Sequence, residues 1–244
     1  MFNHALMGGL MRKKDIVTPA TLGAEIWLSA TAIEGANEND NIGTMPDVID
    51  GVDAVQAEAA KQPTYQLING MPYLLFDGSN DFMEAPYDFQ SKYDQNSEIT
   101  IGVVWRSSLV DTSTRVIWAG KPGGGPHYFM GHRKVDGTDE LWFRHGGGDL
   151  SLFSDTDRGI VDVDMFSLVS VNSGNLVVDV NGTNHTETGD IGPASHFSSL
   201  NIGCRFTTTS PQLFYQGYVK DWFLIPRLLT PEEKTALYEN REAY

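Results

Sequence analysis

Between residues 24 and 225 short β-type runs dominate the chain. That constrains the fold more than any other feature. The runs are Glu25–Ala30, Tyr73–Phe76, Asp81–Ala85, Glu98–Arg106, Arg115–Ala119, His127–His132 and Glu140–His145. They continue with Leu150–Phe153, Met165–Asn172, Leu176–Asn181, His185–Glu187, Leu200–Arg205 and Leu213–Ile225. The clearest, EITIGVVWR, is rich in β-branched residues, which suit a pleated, buried surface. Asp136-Gly137 and Asn181-Gly182 carry the two-residue hairpin signature. Strand after strand with Gly- and Asn-rich turns predicts an all-β sandwich or barrel, not a parallel sheet.

One helix is signalled. Thr230-Pro231-Glu232-Glu233 is a capping box with Pro at the first helical position, which predicts a helix to about Arg241. Thr31–Gln62 is poor in strand pattern and reads as a long excursion with a short helix at Ala54–Ala60. With 41% apolar residues in 244, the chain can fill one sizeable core. It divides into an N-terminal arm, 1–23, and one domain, 24–244.

Charge narrows the function classes. The net charge is −15, which disfavours binding to the phosphate backbone of nucleic acid. Residues 1–14 carry Arg12, Lys13 and Lys14 and no acid, so the arm is +3 and the remainder −18. A basic arm on an acidic body predicts a docking tail; three solvated cations are the plain alternative. The opening residues place their basic group after the apolar stretch, the reverse of a secretory leader. No apolar run reaches membrane-spanning length. The lone Cys204 allows no internal disulfide, and the two sequons at Asn181 and Asn184 have no export signal beside them.

A set of short motifs, in order, resembles the laminin-G-like, concanavalin A-like jelly rolls. Trp27-Leu28-Ser29-Ala30 is similar to their opening strand, and Lys61-Gln62-Pro63-Thr64-Tyr65 to the stretch that follows. Asn69-Gly70-Met71-Pro72 and Phe76-Asp77-Gly78-Ser79-Asn80-Asp81 match their hallmark turn. Leu176–Gly182, Asn201-Ile202-Gly203, Phe214–Gly217 and Leu228–Glu233 resemble the later elements. Ser29 stands where the usual motif has Asp, and Cys204 where a second Gly is usual. The resemblance implies a two-sheet antiparallel jelly roll of six or seven strands per sheet, with a C-terminal helix. It also implies a non-catalytic module of the type found in tailed-bacteriophage virion proteins. The expected role is capsid decoration or tail attachment, oligomeric in the particle, with other virion proteins as partners. A carbohydrate-binding adhesin module is the alternative.

The glucanase pattern E-x-D-x-x-E is absent; Asp162-Val163-Asp164 has the i, i+2 spacing but no third acid. Asp77 and Asp81 bracket a turn and read either as calcium ligands or as turn chemistry, so Ca²⁺ is the one cofactor considered. His127, His132 and His145 lack a zinc spacing. Gly120–Pro126 lacks the Lys-Ser/Thr of a phosphate loop. Tyr128, Trp142 and Arg144, on adjacent predicted strands, form a candidate sugar-stacking platform, with a core role for Trp142 as the alternative. Trp27, Trp105, Trp118 and Trp222 are read as core.

Overall fold

The computed structural model describes residues 16–49, 51–93, 97–108, 113–122, 129–135, 138–145, 148–151, 162–172, 175–188, 197–206 and 210–244. The strands are β1 (Ile26–Ser29), β2 (Thr44–Met45), β3 (Ala54–Val55), β4 (Thr64–Ile68), β5 (Met71–Asp77) and β6 (Met83–Ala85). After the short helix α1 (Phe89–Lys92) come β7 (Ile99–Ser107), β8 (Arg115–Pro122), β9 (Phe129–Val135), β10 (Thr138–His145), β11 (Gly148–Ser151) and β12 (Met165–Asn172). The series ends with β13 (Asn175–Val180), β14 (Thr183–Thr188), β15 (Phe197–Ile202), β16 (Arg205–Phe206), β17 (Pro211–Gln212), β18 (Gln216–Ile225) and helix α2 (Pro231–Asn240).

Two eight-stranded antiparallel sheets stack face to face. The first runs β14-β13-β12-β7-β18-β5-β4, with β1 also on β18; the second runs β11-β10-β9-β8-β15-β6-β3-β2. The architecture is the expected β-sandwich, with wider sheets than the motifs implied. No helix among the described residues is long and apolar enough to cross a membrane. The expected helix at Ala54–Ala60 is not formed. Ala54 and Val55 pair with Met45 and Thr44, which buries Ala54 in the core, and only Ala59–Lys61 coils, as a single 3₁₀ turn. A two-residue strand is too short to leave a readable alternation.

Strand alternation explains what each sheet face buries. In β7, Ile99, Ile101, Val103 and Trp105 enter the core between the sheets, while Val104 faces outward into a second apolar cluster. Trp105, Trp118 and Trp222 are fully buried between the sheets, the last two edge to face at 5.9 Å. Gly102 is required because the ring of Phe223 lies where its Cβ would be, 2.0 Å away.

The outer face of the first sheet is roofed by the chain's own ends. Leu237 and Tyr244 from α2 and its tail, with Val17 and Leu22 from the N-terminal side, pack on Trp27, Val104, Phe166, Leu168 and Phe223. The capping box holds the start of α2: Thr230 Oγ1 accepts from the Glu233 amide, and the Thr230 amide donates to Glu233 Oε2 at 2.9 Å. Arg227 makes a two-pronged ion pair with Glu233, both contacts 2.8 Å, and donates to the Leu22 carbonyl.

Candidate functional site

A bulge in β18 places charge under this roof. Val219 pairs with Trp105 and Asp221 with Val104, so Lys220 is the extra residue. The alternation shifts there: Val219 faces the inner core, and so do Trp222 and Leu224. Lys220 and Asp221 are consequently neighbours on the outer face, both buried. The Lys220 ammonium donates to the carbonyls of Arg241 (2.6 Å) and Tyr244 and lies 3.4 Å from Asp221 Oδ2. Asp221 Oδ1 accepts from the Trp27 indole at 3.0 Å. Burial raises the Asp221 carboxyl above the usual range, against the pull of Lys220 and its hydrogen bonds.

Beside that pair the tail leaves a pocket of about 240 Å³, lined by Ile68, Asn69, Met71, Tyr73, Val104, Asp164, Lys220, Arg241 and Glu242. Each wall follows from local structure. The Asn69-Gly70 turn, with φ of 53° and 81°, is the two-residue hairpin joining β4 to β5, and it carries one rim. Tyr73 lies on the outer side of β5, between the inward-facing Leu74 and its own edge contact with Tyr218 (6.3 Å). Asp164, two residues before Phe166, shares the outer face. Asp162 and Asp164 flank Arg106, with Asp162 3.7 Å from Nε and Asp164 3.5 Å from Nη1. Burial first, then the charge of Asp164 and a hydrogen bond to it, push the Tyr73 phenol far above its usual range, so it keeps its proton and donates it to Asp164. Apolar flanks, a phenol, an amide and a carboxylate around a small concavity are chemistry for a polyhydroxylated ring.

The sequence-derived candidates fall elsewhere. Trp142 is buried, packed with Val116 and Ala119 on the outer side of the second sheet under Leu213. That burial fits the core role given as the alternative for Trp142. Arg144 is placed only by its backbone, in register with Phe129 and Asp149. Tyr128 and the cations Arg12, Lys13 and Lys14 lie outside the described residues, as does His127. His132 is buried, with Nε2 3.1 Å from Ser107 Oγ.

Asp77 and Asp81 sit together, but on backbone. Asp77 Oδ1 accepts from the amides of Ser79 (2.7 Å) and Asn80 (3.1 Å), and Asp81 Oδ2 from the Asp77 amide at 3.0 Å. Burial, then the Asp77 charge, pushes the Asp81 carboxyl up to about 6. Among the described residues no group of three or more His, Cys, Asp or Glu is arranged to hold a metal. The pocket under the tail was not found from sequence. Its one visible signal was the Asp162-Val163-Asp164 spacing, read there only against a glycosidase pattern.

No protein-family model matches the chain, and no curated protein matches it. Solved structures do. Trypanosoma rangeli sialidase in complex with sialic acid is similar at a TM-score of 0.64 and 17% identity, over 92% of this chain and 34% of that one. The botulinum neurotoxin serotype D binding domain is similar at 0.64 and 14%, over 90% of this chain and 51% of that one. The serotype G binding domain gives 0.62 and 14%, over the same shares. The chain thus spans about a third of the sialidase and half of the neurotoxin domains. These likenesses show a shared β-sandwich fold of jelly-roll type. They lend the virion expectation no support.

Proposed function

We propose that the protein is a non-catalytic glycan-binding module and that the pocket beneath its C-terminal tail is the binding site. One observation carries this: a concavity of about 240 Å³ that combines apolar flanks with a phenol, an amide and a carboxylate. It is smaller than a typical drug-sized pocket, which runs to roughly 300 Å³ or more, and suits a single sugar ring. The absence of the E-x-D-x-x-E strand pattern from the sequence speaks against hydrolysis of the glucanase type. The sialidase and neurotoxin neighbours are consistent with a binding role but lend only their fold.

The test is binding of the full chain to an immobilised glycan library, alongside Met71→Trp, which fills the pocket from its rim. Binding lost in the variant at unchanged Tm is expected. A chain that binds no glycan, or a variant that binds as well as the parent, rejects the reading.

The module's setting is a further part of the reading. Arg12, Lys13 and Lys14 would anchor it to other virion proteins of a tailed phage. The support is the motif resemblance together with a +3 arm on an otherwise acidic chain. Deleting residues 1–14 should abolish incorporation into particles while leaving the domain folded, and retained incorporation removes the anchor.

A further inference from the structure

The electrostatics of the same pocket select among sugars. Resting on the glycan-binding reading above, we infer that the pocket takes a neutral sugar ring and rejects acidic sugars such as sialic or uronic acids.

Both cations that line the pocket, Lys220 and Arg241, are already engaged within the protein. Lys220 spends its three donors on two main-chain carbonyls and on Asp221. Arg241 donates to the Tyr238 carbonyl at 2.8 Å, stacks its guanidinium 4.2 Å over the Tyr238 ring, and lies 3.6 Å from Glu242. Behind the wall, Arg106 is bracketed by Asp162 and Asp164.

Set against these three cations are four carboxylates: Asp162, Asp164, Asp221 and Glu242. The two that line the pocket are also accessible, with Asp164 37% and Glu242 79% exposed at the side chain. A ligand carboxylate would therefore lose its water and meet like charge, while the lining cations already face carbonyls and carboxylates of the chain. The acidic chain as a whole, at −15, adds a field of the same sign.

A neutral ring meets none of this. Its hydroxyls can donate to Asp164 and accept from the Asn69 amide, with the Tyr73 phenol holding the Asp164 carboxylate in place. Its C–H face can lie on Met71, Ile68 and Val104. A hydroxyl donated to a carboxylate is a charge-assisted bond, stronger than a neutral one.

The test uses the full chain on paired glycans that differ only in a terminal neutral or acidic sugar, with Asp164→Asn as the second protein. Neutral glycans should bind about tenfold or more tighter than their acidic counterparts, since removing or mismatching one charged hydrogen bond is worth that much. Asp164→Asn should weaken neutral binding by about tenfold and narrow the gap to the acidic partner. Acidic glycans bound as tightly as neutral ones would overturn the selectivity and leave the glycan-binding reading standing. Neutral binding that is indifferent to Asp164→Asn would overturn the assignment to this pocket. No binding to either class would remove the glycan-binding reading, and the selectivity with it.

Discussion

The two faces of the first sheet bury comparable side chains by different means. Its inner face meets the second sheet through apolar interdigitation, with Trp105, Trp118 and Trp222 fully enclosed. Its outer face, among the described residues, is covered chiefly by the chain's own ends, with Ile49 beside them. That roof is held by tethers as well as packing: Lys220 on the tail carbonyls, and Arg227 on Glu233 and on the Leu22 carbonyl. An interdigitated core fails as a unit. A tethered roof can loosen locally, and the proposed binding pocket lies at its edge.

The comparison breaks most visibly at Trp222. Replacing it with Ala empties the space between the sheets and removes its edge contact with Trp118. The expected loss is about 3–5 kcal/mol, felt across the whole domain. Urea melts followed by tryptophan fluorescence and by far-UV circular dichroism should shift together. A separation of the two signals would mean the faces are less coupled than described.

Lys220→Met tests the roof. It removes both carbonyl tethers and leaves Asp221 buried without its cation. Breaking one half of a buried pair costs about 3 kcal/mol. Here the expected loss concentrates on α2 and its tail, so amide exchange should quicken in α2 well before β7. Uniform loss of protection in both elements would contradict a separable roof.

A smaller, pH-dependent effect belongs to Asp81, at the turn below the same sheet. Its folded pKa, about 6, lies above the unfolded value near 3.9. The folded state therefore holds this proton more tightly. The contribution is fully present below the unfolded value and is lost as the pH rises through about 6. It is worth at most about 3 kcal/mol. Asp81→Asn can keep accepting from the Asp77 amide while removing the charge. Between pH 4 and 7.5 the parent should therefore weaken relative to the variant. Parallel pH profiles would mean Asp81 titrates near its ordinary value.

Much of the inner core was legible in the sequence, because alternation is a local signal. Met165–Asn172 was read with the bounds of β12, and α2 was read to within a residue from its capping box. The four tryptophans assigned to the core are all buried. Thr64–Ile68 was not read as a strand, because its half-buried pattern does not alternate cleanly. The outer site was harder for a physical reason. Lys220-Asp221 in an apolar run reads as surface charge. Only the bulge, a tertiary feature of pairing with β7, turns both side chains under the tail. Trp142 was ambiguous for a related reason: its strand leaves a core and a stacking role both open, and the packing of Val116, Ala119 and Leu213 in its cluster is a tertiary feature.

The gentlest probe of the roof is its cap. Thr230→Ala removes the hydroxyl that accepts from the Glu233 amide, while Pro231 and the Arg227–Glu233 ion pair remain. Loss of such a cap costs about 1 kcal/mol. Because the lost bond belongs to the first turn of α2, and not to any strand, the cost should appear as faster exchange of the α2 amides with β7 protection nearly unchanged. The variant also bears on the pocket. Its lining residues Arg241 and Glu242 lie beyond the far end of α2, so a roof that moves as one body would lower glycan affinity along with helix protection. Unchanged affinity with a frayed first turn would instead assign the pocket's stability to the Lys220 tether alone, with the cap serving only the helix.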